Sequence, residues 1–147
     1  MPAAFNRALV IRGGALGDFL LTLPVLHALR EARPDARVEV LAYPGIASLA
    51  VAGGLADASR SIEYGPLAGF FTNGGTLDSG LRQYFASFDA VVSYLYDPDK
   101  FFADNLHAAG VQNLVEGPPR PLPTSHAIDQ LASPLARQGI QLAGRAG

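Results

Sequence analysis

At 147 residues, with 49% hydrophobic and 16% charged side chains, the chain has the size and balance of one globular domain with a true core. A formal net charge of -2 and a pI near 5.8 argue for no nucleic acid as a partner. The absence of cysteine excludes disulfides, thiolate metal centres and thiol catalysis. His27, His107 and His126 lie too far apart to form a metal-ligand pair, so no metal is expected.

The first element is a strand over Ala8 to Arg12, a short apolar run of the kind buried on both faces of a parallel sheet. It enters a glycine-rich turn, Gly13-Gly14-Ala15-Leu16-Gly17, closed by Asp18. Glycines allow a tight reversal and leave backbone N–H groups uncovered at a helix N-terminus, a position that favours anions. The spacing predicts a helix over Asp18 to Ala32, with Leu21, Val25, Ala28, Leu29 and Ala32 on one face. Pro24 costs that helix a hydrogen bond unless it lies near the first turn.

Val38 to Ala42 reads as a second strand. Tyr43-Pro44-Gly45 then opens a short helix that stops near Gly53-Gly54, and Ser61 to Tyr64 is a third strand. Gly65 to Gly75 has two readings of equal weight: a functional loop, or a flap anchored to the core by Phe70-Phe71. Leu77 to Phe88 is helical and Ala90 to Leu95 is a fourth strand. The segment Tyr96-Asp97-Pro98-Asp99 follows it. Asp97 or Asp99 could meet a ligand there, but Asp99 as the cap of a helix over Phe101 to Ala109 is the favoured reading. Gly110 ends that helix and Val111 to Val115 is a fifth strand. Gly117 to Pro123 is extended, and His126 to Gln138 is a terminal helix before the tail Gly139 to Gly147.

Strand and helix alternate about five times, which implies an α/β, Rossmann-like parallel sheet flanked by helices. Ligands of such sheets bind beyond the carboxyl ends of the strands, and the glycine turn with Asp18 is there. The turn lacks the Gly-Lys-Ser/Thr of a phosphate loop. The glycines at 13, 14 and 17 also miss the dinucleotide spacing, and the second strand ends in Leu41-Ala42-Tyr43 without the ribose-binding acid. No cofactor is expected. No segment approaches the ~20 apolar residues of a membrane span, and the short apolar run before Arg12 is not a signal peptide, so the expected compartment is the cytoplasm. Ten of the eleven basic residues are arginine, which codon bias in a GC-rich genome explains more readily than ligand capture.

Residues Leu9 to Arg33 resemble the opening of the family 9 glycosyltransferases, the ADP-heptose:lipopolysaccharide heptosyltransferases. The match is carried by Gly14-Ala15-Leu16-Gly17-Asp18, Leu21-Thr22-Leu23-Pro24 and Leu26-His27-Ala28-Leu29-Arg30-Glu31-Ala32. Pro34 to Val38, Phe88 to Val92 and His126 to Gln130 are similar to later stretches of the same family. The resemblance implies the N-terminal half of a GT-B glycosyltransferase, one acceptor-side domain over 1–147. Its C-terminal domain, which would bind the nucleotide-sugar donor ADP-heptose, is expected to be absent, and the chain to be inactive alone. It implies a glycolipid or saccharide acceptor, a role in lipopolysaccharide biosynthesis and peripheral membrane association, although no strongly basic amphipathic helix supports the last.

By the same resemblance Asp18 is the general base, removing the acceptor hydroxyl proton during inverting transfer. A helix N-terminus would keep it ionised. Gly13, Gly14 and Gly17 would let substrates approach the backbone, and Arg12 would meet an acceptor phosphate or make a plain salt bridge. The chain departs from the family at Ser93-Tyr94-Leu95-Tyr96-Asp97, where a polar, glycine-containing segment is common, and this leaves the acceptor open. The readings from other classes are a non-catalytic Rossmann-like binding module and a nucleotide- or dinucleotide-binding protein.

Overall fold

The computed structural model describes residues 5–13, 22–74 and 76–117. Among the described residues five strands form one sheet: β1 (Arg7–Ile11), β2 (Arg37–Ala42), β3 (Ala58–Ser61), β4 (Ala90–Ser93) and β5 (Leu114–Glu116). Their order is β3-β2-β1-β4-β5 and every pairing is parallel. The helices among the described residues are α1 (Leu23–Ala32), α2 (Pro44–Ala52), α3 (Ser79–Ala86) and α4 (Phe101–Ala109), with a 3₁₀ segment over Gly65–Phe71. This is the α/β, Rossmann-like fold expected from the alternation of elements.

The two-residue period of a strand divides the core into two layers. Ala8 and Val10 of β1, Val38, Val40 and Ala42 of β2, and Val92 of β4 pack with Val25, Leu26, Ala28 and Leu29 of α1 and Ala47 and Ala50 of α2. On the other face Leu9, Ile11, Leu41 and Val91 pack with Leu67, Phe70, Leu81, Phe85, Phe102 and Leu106. Burial on both faces explains why the central strands read as continuous apolar runs.

Several boundaries differ from the sequence expectation: α3 is shorter than Leu77 to Phe88, and β4 ends at Ser93, not Leu95. The first described helix begins at Leu23 with Thr22 as its N-cap, so the expected helix is not continuous through Thr22; its Asp18 to Leu21 part lies outside the described residues. Pro24 falls in the first turn, where a missing N–H costs nothing. The third strand is Ala58–Ser61, displaced from Ser61 to Tyr64. It is an edge strand of small and polar residues, so no apolar run marks it. The fifth strand begins at Leu114, not Val111. Val111 instead completes the end of α4: its N–H reaches the Leu106 carbonyl at 3.0 Å and the Gly110 N–H reaches the His107 carbonyl at 3.1 Å. Gly110 has φ 115°, and the pair of bonds is a Schellman motif.

Of the segment Gly65 to Gly75, the described residues 65–74 are anchored to the core by aromatic side chains, as the flap reading expected. Leu67 and Phe70 are buried, the Phe70 and Phe85 rings lie 5.1 Å apart, and Phe71 stacks on Phe102 at 4.9 Å. The buried Asn105 side chain donates to the Phe70 and Thr72 carbonyls at 2.8 and 2.9 Å. At Gly69 a Cβ would lie 2.5 Å from the Thr76 carbonyl oxygen, so only glycine fits there.

Candidate functional site

The sheet reverses direction of growth between β1 and β4: from β1 the chain builds outward through β2 and β3, then returns to add β4 and β5 on the other side. A crevice opens beyond the carboxyl ends of two strands at such a switch point, and ligands of open α/β sheets bind in it. Ile11 pairs with Ser93 at the last register position, so the residues that follow each strand share this edge. They are Arg12 and Gly13 on one side, and Tyr94 to Asp97 on the other. Arg12, Gly13 and Asp97 therefore lie at the same edge of the sheet, while Gly14, Gly17 and Asp18 lie outside the described residues.

The Arg12 guanidinium is turned inward. The residue is 1% exposed, and its charge lies 5.7 Å from the centroid of the buried Tyr94 ring, within cation–π range. Burial raises the Tyr94 hydroxyl above its ordinary pKa, against the opposing pull of Arg12. A Cβ at Gly13 would sit 3.1 Å from Leu95 Cδ2, so glycine lets the segment after β4 close over the end of β1.

Asp97 holds the helix that follows. Its Oδ1 accepts from the Phe102 N–H at 3.1 Å and its Oδ2 from the Ala103 N–H at 2.9 Å. The N-cap residue of α4 is Lys100, and the carboxylate that caps its first N–H groups is that of Asp97, not Asp99. The Lys100 N–H bonds the Asp97 carbonyl at 3.1 Å, closing a four-residue turn that carries the carboxylate beneath the helix start. An ionised carboxylate has about four lone-pair sites, so one that caps a helix can still accept from a ligand hydroxyl.

The histidines outside this edge are accounted for structurally. His27 lies 3.2 Å from Glu31 one helical turn away, and the His107 ring nitrogen lies 3.0 Å from the Val111 carbonyl; His126 lies outside the described residues. Among the described residues no cluster of His, Asp or Glu could hold a metal. A shallow groove of about 310 Å³ lined by Ala86, Phe88, Asp89, Gly110, Gln112 and Asn113 lies where the chain enters β4 and β5, the edge opposite the crevice.

A buried polar network that the sequence reading missed lies on the α3 face of the sheet. Glu39, 5% exposed, accepts from Arg37 Nε at 2.8 Å, from the Tyr84 hydroxyl at 3.0 Å and from Arg7 at 3.4 Å, and Arg60 stacks on Tyr84 at 4.0 Å. The signal was an acid inside an otherwise apolar strand. The network serves the fold, since a buried carboxylate needs partners.

Comparison with solved structures finds the same fold in known proteins. A crystal structure of a family 9 glycosyl transferase from Veillonella parvula DSM 2008 covers 95% of the chain with a TM-score of 0.63 and 17% identity. The chain carries the fold of half a family 9 glycosyltransferase. It spans 44% of that structure's own length. E. coli heptosyltransferase WaaC with ADP matches 96% of the chain at TM-score 0.59 and 16% identity, over 50% of its length. The same enzyme with ADP-2-deoxy-2-fluoro heptose gives 0.60, 17% and 51%. No protein-family profile matches the sequence, and no curated protein does. Among the described residues no helix is long and apolar enough to cross a membrane.

Proposed function

We infer that the chain is the acceptor-side half of an inverting, heptosyltransferase-like glycosyltransferase, completed by a second Rossmann-like domain that binds the nucleotide-sugar donor. The observation that carries this reading is the superposition of nearly the whole chain on half of the family 9 structures. The Gly-Ala-Leu-Gly-Asp motif supports it, since in sequence it directly follows the strand at the switch point. Two of the neighbours carry ADP or an ADP-heptose analogue, which supports ADP-heptose as donor. The acceptor is a glycolipid or saccharide, the reaction runs in the cytoplasm, and a lipid-linked acceptor would draw the enzyme to the membrane periphery.

In the proposed reaction the acceptor hydroxyl oxygen attacks the anomeric carbon as the bond from that carbon to the diphosphate oxygen breaks. ADP leaves with the bonding electrons, and Asp18 takes the hydroxyl proton. A positioned base contributes about 10²- to 10⁴-fold. Asp18 is ordinarily a weak base, so closure of the two halves and exclusion of water are needed to strengthen it. Gly13, Gly14 and Gly17 leave room for the substrates, with Arg12 and Asp97 at the base of the crevice.

The test is turnover of ADP-heptose by the chain combined with the donor-binding half. Asp18→Asn should lower turnover by about 10²- to 10⁴-fold with the melting temperature retained, and the chain alone should turn over nothing. Equal turnover by Asp18→Asn would remove Asp18 as base. Full turnover by the chain alone would remove the two-half arrangement.

A further inference from the structure

Five tyrosines occur in the chain, and the fold sorts them into two groups. Tyr84 and Tyr94 are held in the core layers, whereas Tyr43, Tyr64 and Tyr96 are 41, 49 and 76% exposed. Each exposed one follows the carboxyl end of a strand. Tyr43 comes directly after β2, Tyr64 three residues after β3, and Tyr96 three residues after β4. Since β2 and β4 are the two neighbours of β1, Tyr43 and Tyr96 follow the strands on either side of the carboxyl end of β1. Two strand spacings of ~4.8 Å set the ends of β2 and β4 about 10 Å apart, a span that fits one or two pyranose rings. Scattered exposed aromatics need no explanation. Here the three exposed tyrosines stand on the one edge where such sheets bind ligands, while Phe71, also exposed, is stacked on Phe102.

The charges nearby select the class of ligand. At the β4 end of the crevice Tyr96 is followed by Asp97 and Asp99. Lys100 lies 3.3 Å from Glu116, and the Arg12 guanidinium is buried. An anion would meet carboxylates there, whereas a polyol brings hydroxyl donors. The C–H face of a pyranose stacks on the electron-rich face of a tyrosine ring, and the phenol can donate to or accept from the ring hydroxyls.

We propose that Tyr43 and Tyr96 form a stacking rim that receives neutral pyranose rings of the acceptor. The proposal rests on the acceptor-side reading above and names the chemistry by which that side recognises its substrate: ring stacking, not phosphate capture. Tyr43 and Tyr96 are positioning residues, and the tyrosine hydroxyl is secondary to the ring.

The full chain labelled with 3-fluorotyrosine provides one ¹⁹F signal per tyrosine, each assigned by single Tyr→Phe substitution. Titration with the methyl glycosides of glucose, galactose and mannose should move the Tyr43 and Tyr96 signals saturably and leave those of Tyr84 and Tyr94 in place. Inorganic phosphate should move neither group. Tyr96→Ala and Tyr43→Ala, both at exposed positions, should each weaken the response about three- to tenfold, and Tyr96→Phe should restore it. No shift at Tyr43 and Tyr96, an equal shift at all five tyrosines, or an equal response to phosphate overturns the rim. So does a Tyr96→Phe variant as weak as Tyr96→Ala. The two readings fail separately: Asp18→Asn should keep glycoside binding while losing turnover, and loss of the rim leaves the Asp18 result intact.

Discussion

Replacing Asp97 with alanine removes both bonds to the start of α4, and its cost can be worked from the geometry. The carboxylate accepts from the Phe102 and Ala103 N–H groups at 3.1 and 2.9 Å, so two of the four donors left over at a helix start lose their partner. Loss of a capping side chain costs about 0.5–2 kcal/mol. A negative charge at the N-terminus adds about 0.3–1 kcal/mol, so about 2 kcal/mol is expected in all. The helix cannot absorb this by fraying, because Phe102 in its first turn is buried against Phe85 and Phe71. The loss should therefore appear in global unfolding. For a chain of this size it lowers Tm by roughly 4–8 °C, measured by circular dichroism at neutral pH. Asp97→Asn keeps one neutral acceptor and should lose about half as much. Asp99→Ala, at the position nearer the helix, should change stability by less than about 0.5 kcal/mol. If Asp99→Ala destabilised the protein more than Asp97→Ala, the assignment of the cap would be wrong. An Asp97→Ala melting curve that matched the unmodified protein would refute the reasoning as a whole.

The sequence made the central sheet legible because β1, β2 and β4 are buried on both faces and so are written as apolar runs. Ala8 to Arg12, Val38 to Ala42 and Ala90 to Leu95 overlap the observed strands almost fully. The helix over Phe101 to Ala109 was bounded correctly, because Gly110 supplies the left-handed residue that ends it. Legibility fell at the edges. β3, with the sequence Ala58-Ser59-Arg60-Ser61, pairs on one side only and carries no period to read. Val111 is apolar, yet it belongs to a helix end and not to β5. At the candidate site, topology joined the ends of β1 and β4 as expected, but the capping acid was misassigned. Its signal lay in Asp97-Pro98, an acid and a proline at the first two positions of a turn, which brings the earlier carboxylate under the helix. Glu39 was signalled as an acid inside an apolar strand, but its partners Arg7, Arg37 and Tyr84 could not be read, since they are set by register and by packing of α3. The tyrosine rim was likewise invisible until strand order showed which loops share an edge.

Gly69→Ala should lower the urea midpoint, since a Cβ 2.5 Å from the Thr76 carbonyl oxygen forces backbone apart; about 1–3 kcal/mol is expected, and an unchanged midpoint would contradict the packing. Asp57 accepts from Arg30 at 2.8 Å and from the Val38 N–H at 2.8 Å, and the Arg30 bond, aided by Val38, holds its carboxyl below the ordinary 3.8. Its contribution is present above that value and lost as pH falls through the lowered one, so Asp57→Asn should be less stable than the unmodified protein at pH 7 and the gap should narrow steadily as the solution is made acid, measured by urea unfolding at each pH. Tyr84 is the alkaline counterpart. Burial chiefly, then the nearby Glu39 carboxylate, raises its hydroxyl above the ordinary value of 10.0. The folded protein therefore keeps Tyr84 neutral while the unfolded chain ionises. The associated stability is complete below pH 10 and falls as pH rises beyond it. Tyr84→Phe removes the titrating group together with the 3.0 Å bond to Glu39, so it should cost about 1 kcal/mol at pH 7 yet decline less steeply above pH 10. Parallel stability curves for the two proteins between neutral and strongly alkaline pH would mean that Tyr84 ionises as freely in the fold as outside it, and that the buried network around Glu39 does not enclose it.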